Sequence, residues 1–416
     1  MSVKVVITGI GLVSALGKLE STWKEILSGH SGICLHQPFP ENECRPLALI
    51  GTKPVELIKL TRQVLADAII DADLCLPLPD CGLVIGSSRG NQARLEQFAR
   101  EGRTKKEKGI RKNEEEFSYL GEEEEGKELL ITNYQLPITN YQLPITNYQF
   151  LDCLPHAGAI AAANFIGTRG PVLAPAAACA TGIWAIAQGF ELIQTGQCDR
   201  VIAGAVEAPI TPLTLAGFNQ MGALAQTGAY PFDSQREGFV LGEGAALLVL
   251  ESAELAKRRG AKIYGQVLGF GLTNDACYAN SPDLGGKSAI AAIEQCLSRS
   301  KLSVNDIDYI HAHGTATQLN DRHEAMLIEK LFPHGVAVSS TKGATGHTLG
   351  ASGALGTAFC LMSIKDQIMP PCVGLRDSLF KLDLVRAARR REVRNTLCFS
   401  FGFGGQNAVI ALGRYR

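Results

Sequence analysis

No C-x-x-C pair occurs among the 12 cysteines of this sequence, which are widely scattered. That absence argues against a zinc ribbon and against a small secreted fold stapled by disulfides. Most of the cysteines therefore read as reduced, buried small hydrophobes. Net charge is also missing: 40 Lys and Arg against 41 Asp and Glu leave −1 at pH 7. There is thus no global electrostatic case for nucleic acid or an anionic membrane as a partner. No apolar run is long enough to span a bilayer. The opening residues, MSVKVVITGIGLVSALG, look like a glycine-rich strand and turn and lack the ordered parts of a signal peptide. A cytosolic protein is expected.

What is present is a chain of 416 residues, 46% hydrophobic and 19% charged. That is enough for a large core or two fused domains. Short apolar runs alternate with helical patterns. Strand-like runs lie at Val3–Ile7, Leu83–Ile85, Val201–Ala203, Ala246–Leu250, Tyr309–His311, Val336–Ser339, Leu397–Phe401 and Ala408–Leu412. Helical patterns lie at Val55–Ala72, Thr181–Gln194, Ser288–Ser300 and Asp321–Phe332. The runs are short and almost wholly apolar, as strands buried on both faces are, so α/β layers are expected. A boundary near residue 255 divides the chain into an N-terminal half, 1–255, and a C-terminal half, 256–416.

At about 102–149 the core-like pattern stops. A charge-rich stretch, Thr104–Glu128, with EEE and EEEE blocks, is too polar to order itself around a core. Next, ITNYQLP occurs twice, at 131–137 and 138–144, and is followed by ITNYQ at 145–149. A seven-residue period suggests a coiled coil, but Pro137 and Pro144 would break the helix. The segment reads as a low-complexity insertion looping from the surface, whose deletion preserves or improves solubility and activity.

Four motifs carry chemistry. In APAAACATG, Cys179 sits where a small-residue strand end meets a helix beginning near Thr181. The free N–H groups and positive dipole end of such a helix favour a thiolate and can hold an oxyanion. A buried cysteine in a tight helix–strand contact is the competing reading. In IHAHGTAT, His313 ends a strand and enters a glycine turn, and His311 competes with it for the same role. Thr315 and Thr317 put both hydroxyls on one side. The H-x-H pair also invites a metal, but no further carboxylate–histidine spacing supports one. In SSTKGATGHTLGASG, His347 is expected to open a helix whose dipole keeps its imidazole neutral, with the Lys342 cation nearby. In FSFGFGGQN, glycines and aromatics suit a pocket wall or gate. The G-x-G-x-x-G spacing of a nucleotide loop is absent.

Taken in this order, AACATG, AHGTAT, STKGATGHTLGASG and SFGFGGQN resemble the β-ketoacyl-acyl carrier protein synthases, in particular the elongating type with a Cys-His-His triad. VVITGIGLVSALG, TRGP at 168–171, PFDSQREGFVLGEGAALLVLE at 231–251 and AKRRGAKIYGQVLGFG agree with it. The resemblance covers nearly the whole chain outside the insert. It implies a thiolase-like fold of two similar halves layered α-β-α-β-α, usually a homodimer, with no cofactor and no metal. Cys179 would be the acylated nucleophile. His313 and His347 would support malonyl decarboxylation and stabilise the enolate. Lys342 and Glu324 would form an ordering ion pair. Thr315 and Thr317 would hydrogen-bond the pantetheine arm, and Leu154 would line the acyl pocket. Phe401 would be a gate whose backbone N–H joins that of Cys179 in an oxyanion hole. The partners implied are acyl carrier proteins bearing acyl and malonyl phosphopantetheine thioesters. Alternatives are a polyketide or specialised-lipid ketosynthase, an inactive paralogue, or a thiolase using Cys398 as its acid.

Overall fold

The computed structural model describes residues 3–101 and 148–415. The charge-rich stretch and nearly all of the seven-residue repeat lie outside the described residues. One large mixed sheet runs through the molecule. Apart from the two-residue strand Gly17–Lys18, which pairs with the end of the first strand, its strands in the first half are β1 (Val5–Ser14), β2 (Gly82–Gly86), β3 (Val172–Leu173), β4 (Arg200–Glu207) and β5 (Gly244–Ser252). The second half contributes β6 (Gly265–Asn274), β7 (Tyr309–His311), β8 (Ala337–Ser339), β9 (Asp383–Leu384), β10 (Asn395–Gly402) and β11 (Gln406–Gly413).

The spatial order is β9-β8-β7-β10-β11-β6-β1-β5-β4-β2-β3. Leaving out the edge strand β9, each half has the order third, second, fourth, fifth, first. The pairing directions repeat as well. The second strand is parallel to the third and fourth, and the remaining ladders are antiparallel. The halves meet where Val5–Ile7 pair antiparallel with Gly265–Val267. The molecule is therefore an internal repeat built on one topology.

Among the described helices, these cover and fill it: α1 (Leu57–Asp71), α2 (Ala157–Ile166), α3 (Thr181–Gln194), α4 (Lys287–Ser300), α5 (Gln318–Leu331) and α6 (Ser352–Asp366). Alternate strand residues serve different cores, as a period of two requires. Val201, Ala203 and Ala205 of β4 face a central core that also holds Ile183 of α3, Leu355 of α6, and Ala408, Ile410 and Leu412 of β11. Ile202 and Val206 face the outer core with α1 and α2, whereas Val409 and Ala411 face the other outer core with α4 and α5. Helices thus cover both outer faces, and α3 and α6 lie between the two half-sheets, which makes five layers. Strands buried on both faces explain the near-continuous apolar runs.

The two central helices cross at glycine. A Cβ on Gly182 would lie 2.5 Å from the Ala354 backbone nitrogen, and one on Gly353 would lie 2.9 Å from Ile183 Cγ1. This close approach brings the N-terminal ends of α3 and α6 together, and the site is built there.

Candidate active site

Cys179 stands two residues ahead of α3, on a turn whose preceding residue, Ala178, has φ of +46°. A left-handed alanine is strained and persists only when its surroundings fix it. Thr181 does so: its Oγ1 accepts from the Ala177 N–H at 2.8 Å and donates to the Ala178 carbonyl at 2.7 Å. From the facing strand β10, Ser400 Oγ donates to the Cys179 carbonyl at 2.8 Å. The helix has no side-chain cap at Ala180, so its positive end is left open beside the thiol.

Two histidines converge on Cys179 from the second half. His347 Nε2 is 3.2 Å from Cys179 Sγ, while its Nδ1 is 2.9 Å from Ser352 Oγ. When Nδ1 donates to Ser352, Nε2 is left as an acceptor facing the thiol; when Ser352 donates to Nδ1, the imidazole proton sits on Nε2. His313, just past β7, packs edge-on against His347 with ring centroids 5.4 Å apart, and its Nδ1 is buried with no partner. One donor atom from each of Cys179, His313 and His347 can be chosen so that all three lie within 4.8 Å of one another. All three residues line one cleft of about 330 Å³, together with Thr315, Thr317, Phe401 and Phe403.

Burial governs the protonation states. It pushes the Cys179 thiol up to about 11, against the opposing pull of the Lys342 cation. The resting nucleophile is a thiol, so the expectation of a favoured thiolate is corrected: desolvation outweighs the helix end and the lysine. Burial also drives both imidazoles well below the ordinary histidine range, with Lys342 adding to it, so both are neutral. His347 opens no helix. It follows Gly346 in an extended bridge beside Leu241, and α6 starts at Ser352. Its neutrality comes from burial and from Lys342, not from a helix dipole.

Lys342 and Glu324 meet through the backbone of His313 rather than as a direct ion pair. The lysine ammonium donates to the His313 carbonyl. The Glu324 carboxylate accepts from the His313 and Gly314 N–H groups at 2.6 and 2.7 Å. Burial lowers the Lys342 pKa and raises that of Glu324, and their mutual attraction opposes both shifts. His311 does not compete for the cleft: its Nε2 lies 3.1 Å from Thr341 Oγ1, and Cys398 Sγ is 3.9 Å from its Nδ1 in the core. Cys398 is therefore behind the site, where it is fully buried.

Thr315 and Thr317 line the cleft with their hydroxyls 2.9 Å apart. Phe401 stacks edge-on against His313 at 6.1 Å. The backbone N–H that reaches the Cys179 thiol is that of Phe403, two residues on, where the chain leaves the strand. Gly402 permits this: a Cβ there would lie 3.0 Å from the Cys179 nitrogen. Leu154 lies outside this cleft, half-buried in the turn before α2. Sequence reasoning missed Ser352, Phe403 and Glu207. Ser352 was findable, five residues after His347 in the same motif. Glu207 ends β4 fully buried, accepts from the Ser88 N–H, and lies 2.5 Å from where a Gly350 Cβ would be. Its position in an apolar strand offered no signal.

Such an arrangement suits covalent acyl transfer: a thiol at a helix end, a neutral imidazole to move its proton, and a second imidazole facing the same space.

Comparison with known proteins agrees with this chemistry. The family model described as beta-ketoacyl synthase, N-terminal domain, matches residues 55–256. The model for the beta-ketoacyl synthase C-terminal domain matches 264–376. The chain is 32% identical to the 3-oxoacyl-[acyl-carrier-protein] synthase 2 of Vibrio cholerae over 99% of both chains. It is 42% identical to the protein of the same name from Rhizobium meliloti over 59% of this chain and 62% of that protein. Among solved structures, the ishigamide ketosynthase/chain length factor superposes with a TM-score of 0.84 at 25% identity, covering all of both chains.

Proposed function

The chain belongs to the β-ketoacyl synthase family, and on that premise we propose that it is a β-ketoacyl-acyl carrier protein synthase of fatty acid biosynthesis. It is a condensing acyltransferase. The observation that carries the assignment of roles is the 3.2 Å contact between Cys179 Sγ and His347 Nε2 in a cleft shared with His313. In the proposed division of labour, 1–255 supplies the nucleophile and 256–416 the two histidines, a split that the repeated strand order supports.

In the first half-reaction, Cys179 Sγ attacks the carbonyl of an acyl thioester on the pantetheine arm of a carrier protein. With its own proton on Nδ1 and donated to Ser352, His347 takes the thiol proton at Nε2 and returns it to the departing pantetheine sulfur. The Cys179 and Phe403 N–H groups hold the oxyanion. In the second half-reaction, malonyl thioester loses carbon dioxide, and its C–C bonding pair becomes an enolate. The neutral imidazoles of His313 and His347, the latter now with its proton on Nε2 and Ser352 donating to its Nδ1, donate hydrogen bonds to that enolate oxygen. The enolate carbon then attacks acyl-Cys179, forming the new C–C bond and breaking the C–S bond, and the released thiolate takes one proton from solvent. Lys342 and Glu324 hold His313 in place, while Thr315 and Thr317 offer hydroxyls to the arm.

The carrier protein as partner, a homodimeric assembly and a cytoplasmic location complete the reading. The names of the relatives support the first, and the ketosynthase/chain length factor pairing among the structural neighbours supports an assembly of two such chains. No described helix is long and apolar enough to cross a membrane. The test is purified protein given acyl- and malonyl-carrier protein across a series of chain lengths. A β-ketoacyl product two carbons longer is expected; no product at any length would refute the assignment. A product extended repeatedly would favour a polyketide ketosynthase.

A further inference from the structure

We propose that the resting Cys179–His313–His347 cluster captures a soft divalent cation such as Zn²⁺, which blocks acylation of the thiol it binds. A tetrahedral zinc site puts sulfur at about 2.3 Å and nitrogen at about 2.0–2.1 Å, so its donor atoms sit roughly 3.3–3.8 Å apart. Cys179 Sγ and His347 Nε2 are already 3.2 Å apart, and the farthest pair in the cluster needs to close by only about 1 Å from its 4.8 Å limit. All three residues are buried. A buried histidine normally has both ring nitrogens occupied. Here His313 Nδ1 has no partner, a second and independent sign that this ring has spare donor capacity.

The set is one sulfur and two imidazole nitrogens, with the fourth position open toward the cleft. That is the ligand chemistry of zinc, not of magnesium or calcium, which prefer oxygen. The three ligands come from three separate segments held by different anchors: Thr181 and Ser400 behind Cys179, Ser352 behind His347, and Glu324 behind His313. Pre-positioned ligands with hydrogen-bonded supports favour metal binding. The Lys342 cation opposes the ion, so binding is expected in the micromolar range, weaker than in a closed structural site.

On capture the Cys179 S–H proton leaves to solvent and the thiolate sulfur bonds the ion, so one proton is released per ion bound. An acyl group on Cys179 removes the thiolate ligand, so the acyl-enzyme escapes. Capture itself does not depend on the condensing assignment; only the inhibition does.

The test uses the full-length protein in chelator-treated buffer, with Zn²⁺ for binding and Co²⁺ as a spectroscopic probe. Expected are one Zn²⁺ per chain by calorimetry, a near-ultraviolet thiolate-to-Co²⁺ charge-transfer band, and slowed iodoacetamide labelling of Cys179 in peptide mass spectra. Cys179→Ser should abolish the band, and His347→Ala should weaken binding at least tenfold. The labelling arm uses unaltered protein and decides the matter if a variant fails to fold. Labelling of Cys179 at the same rate with and without Zn²⁺ would overturn the proposal, as would equal binding by a folded Cys179→Ser variant.

Discussion

At the scale of single residues, the site is a small network in which each reactive group is held by hydrogen-bonded neighbours. Ser352 is the support of His347, through a 2.9 Å contact to Nδ1. Removing that hydroxyl lets the ring change tautomer and orientation, and the net worth of one such hydrogen bond is about 1 kcal/mol or more. Ser352→Ala is therefore expected to lower the condensation rate about tenfold, equivalent to about 1.4 kcal/mol in the barrier, with an unchanged circular dichroism spectrum. An unaltered rate would show that Ser352 does not set the histidine's proton. The roles proposed for Cys179, His313 and His347 were legible in the sequence because glycine and small residues mark turns, and turns mark where side chains reach a cleft. The backbone N–H that the resemblance puts at Phe401 beside Cys179 is found at Phe403, two residues on. In FSFGFGG both phenylalanines follow the same alternation, and only the end of the strand at Gly402 separates them.

At the scale of elements, the crossing of α3 and α6 fixes the distance between Cys179 and His347. Gly182 lies in the first turn of α3, and its missing Cβ is what lets the Ala354 backbone come close. The neighbour is backbone, so an added methyl group cannot be relieved by a rotamer change. Gly182→Ala is expected to cost about 1–3 kcal/mol, to lower the unfolding midpoint in a thermal melt, and to slow Cys179 acylation. Wild-type stability would mean that the helices are not in contact as described. The helices and strands themselves were largely legible. Thr181–Gln194 and Tyr309–His311 fall where the sequence pattern puts them. The helix expected at His347 starts instead at Ser352. Positive φ at Gly346 and the bridge of His347 to Leu241 hold the histidine extended, and tertiary contacts of that kind leave no local pattern.

At the scale of the whole molecule, several buried carboxyls tie the halves' loops to the core. Burial pushes both Glu207 and Glu243 up to about 7 from an ordinary 4.5. A carboxyl with a raised folded pKa binds its proton more tightly when folded. Its contribution is fully present below about pH 4.5 and is lost as pH rises through about 7. The buried neutral histidines act in the opposite sense, so a difference between two proteins isolates the effect. Relative to wild type, Glu207→Gln should gain thermal stability as pH rises from about 5 to 7.5, because glutamine has no proton to lose. A difference that stays constant or falls over that range would contradict the burial of a titrating carboxyl. At this scale the two similar halves and their layering follow from the resemblance of the motifs, not from the local pattern. The alternation predicts layers, but the matching strand orders of the two halves depend on pairings between residues far apart in the chain.

The central claim is that Cys179 carries the acyl group. Its most direct test is peptide mass spectrometry of the protein after incubation with an acyl-carrier protein and no malonyl donor. The account predicts one acyl group, on the peptide containing Cys179, which disappears when malonyl-carrier protein is added and β-ketoacyl product forms. An acyl group on another cysteine, or product formation by a folded Cys179→Ala variant at the wild-type rate, would contradict it.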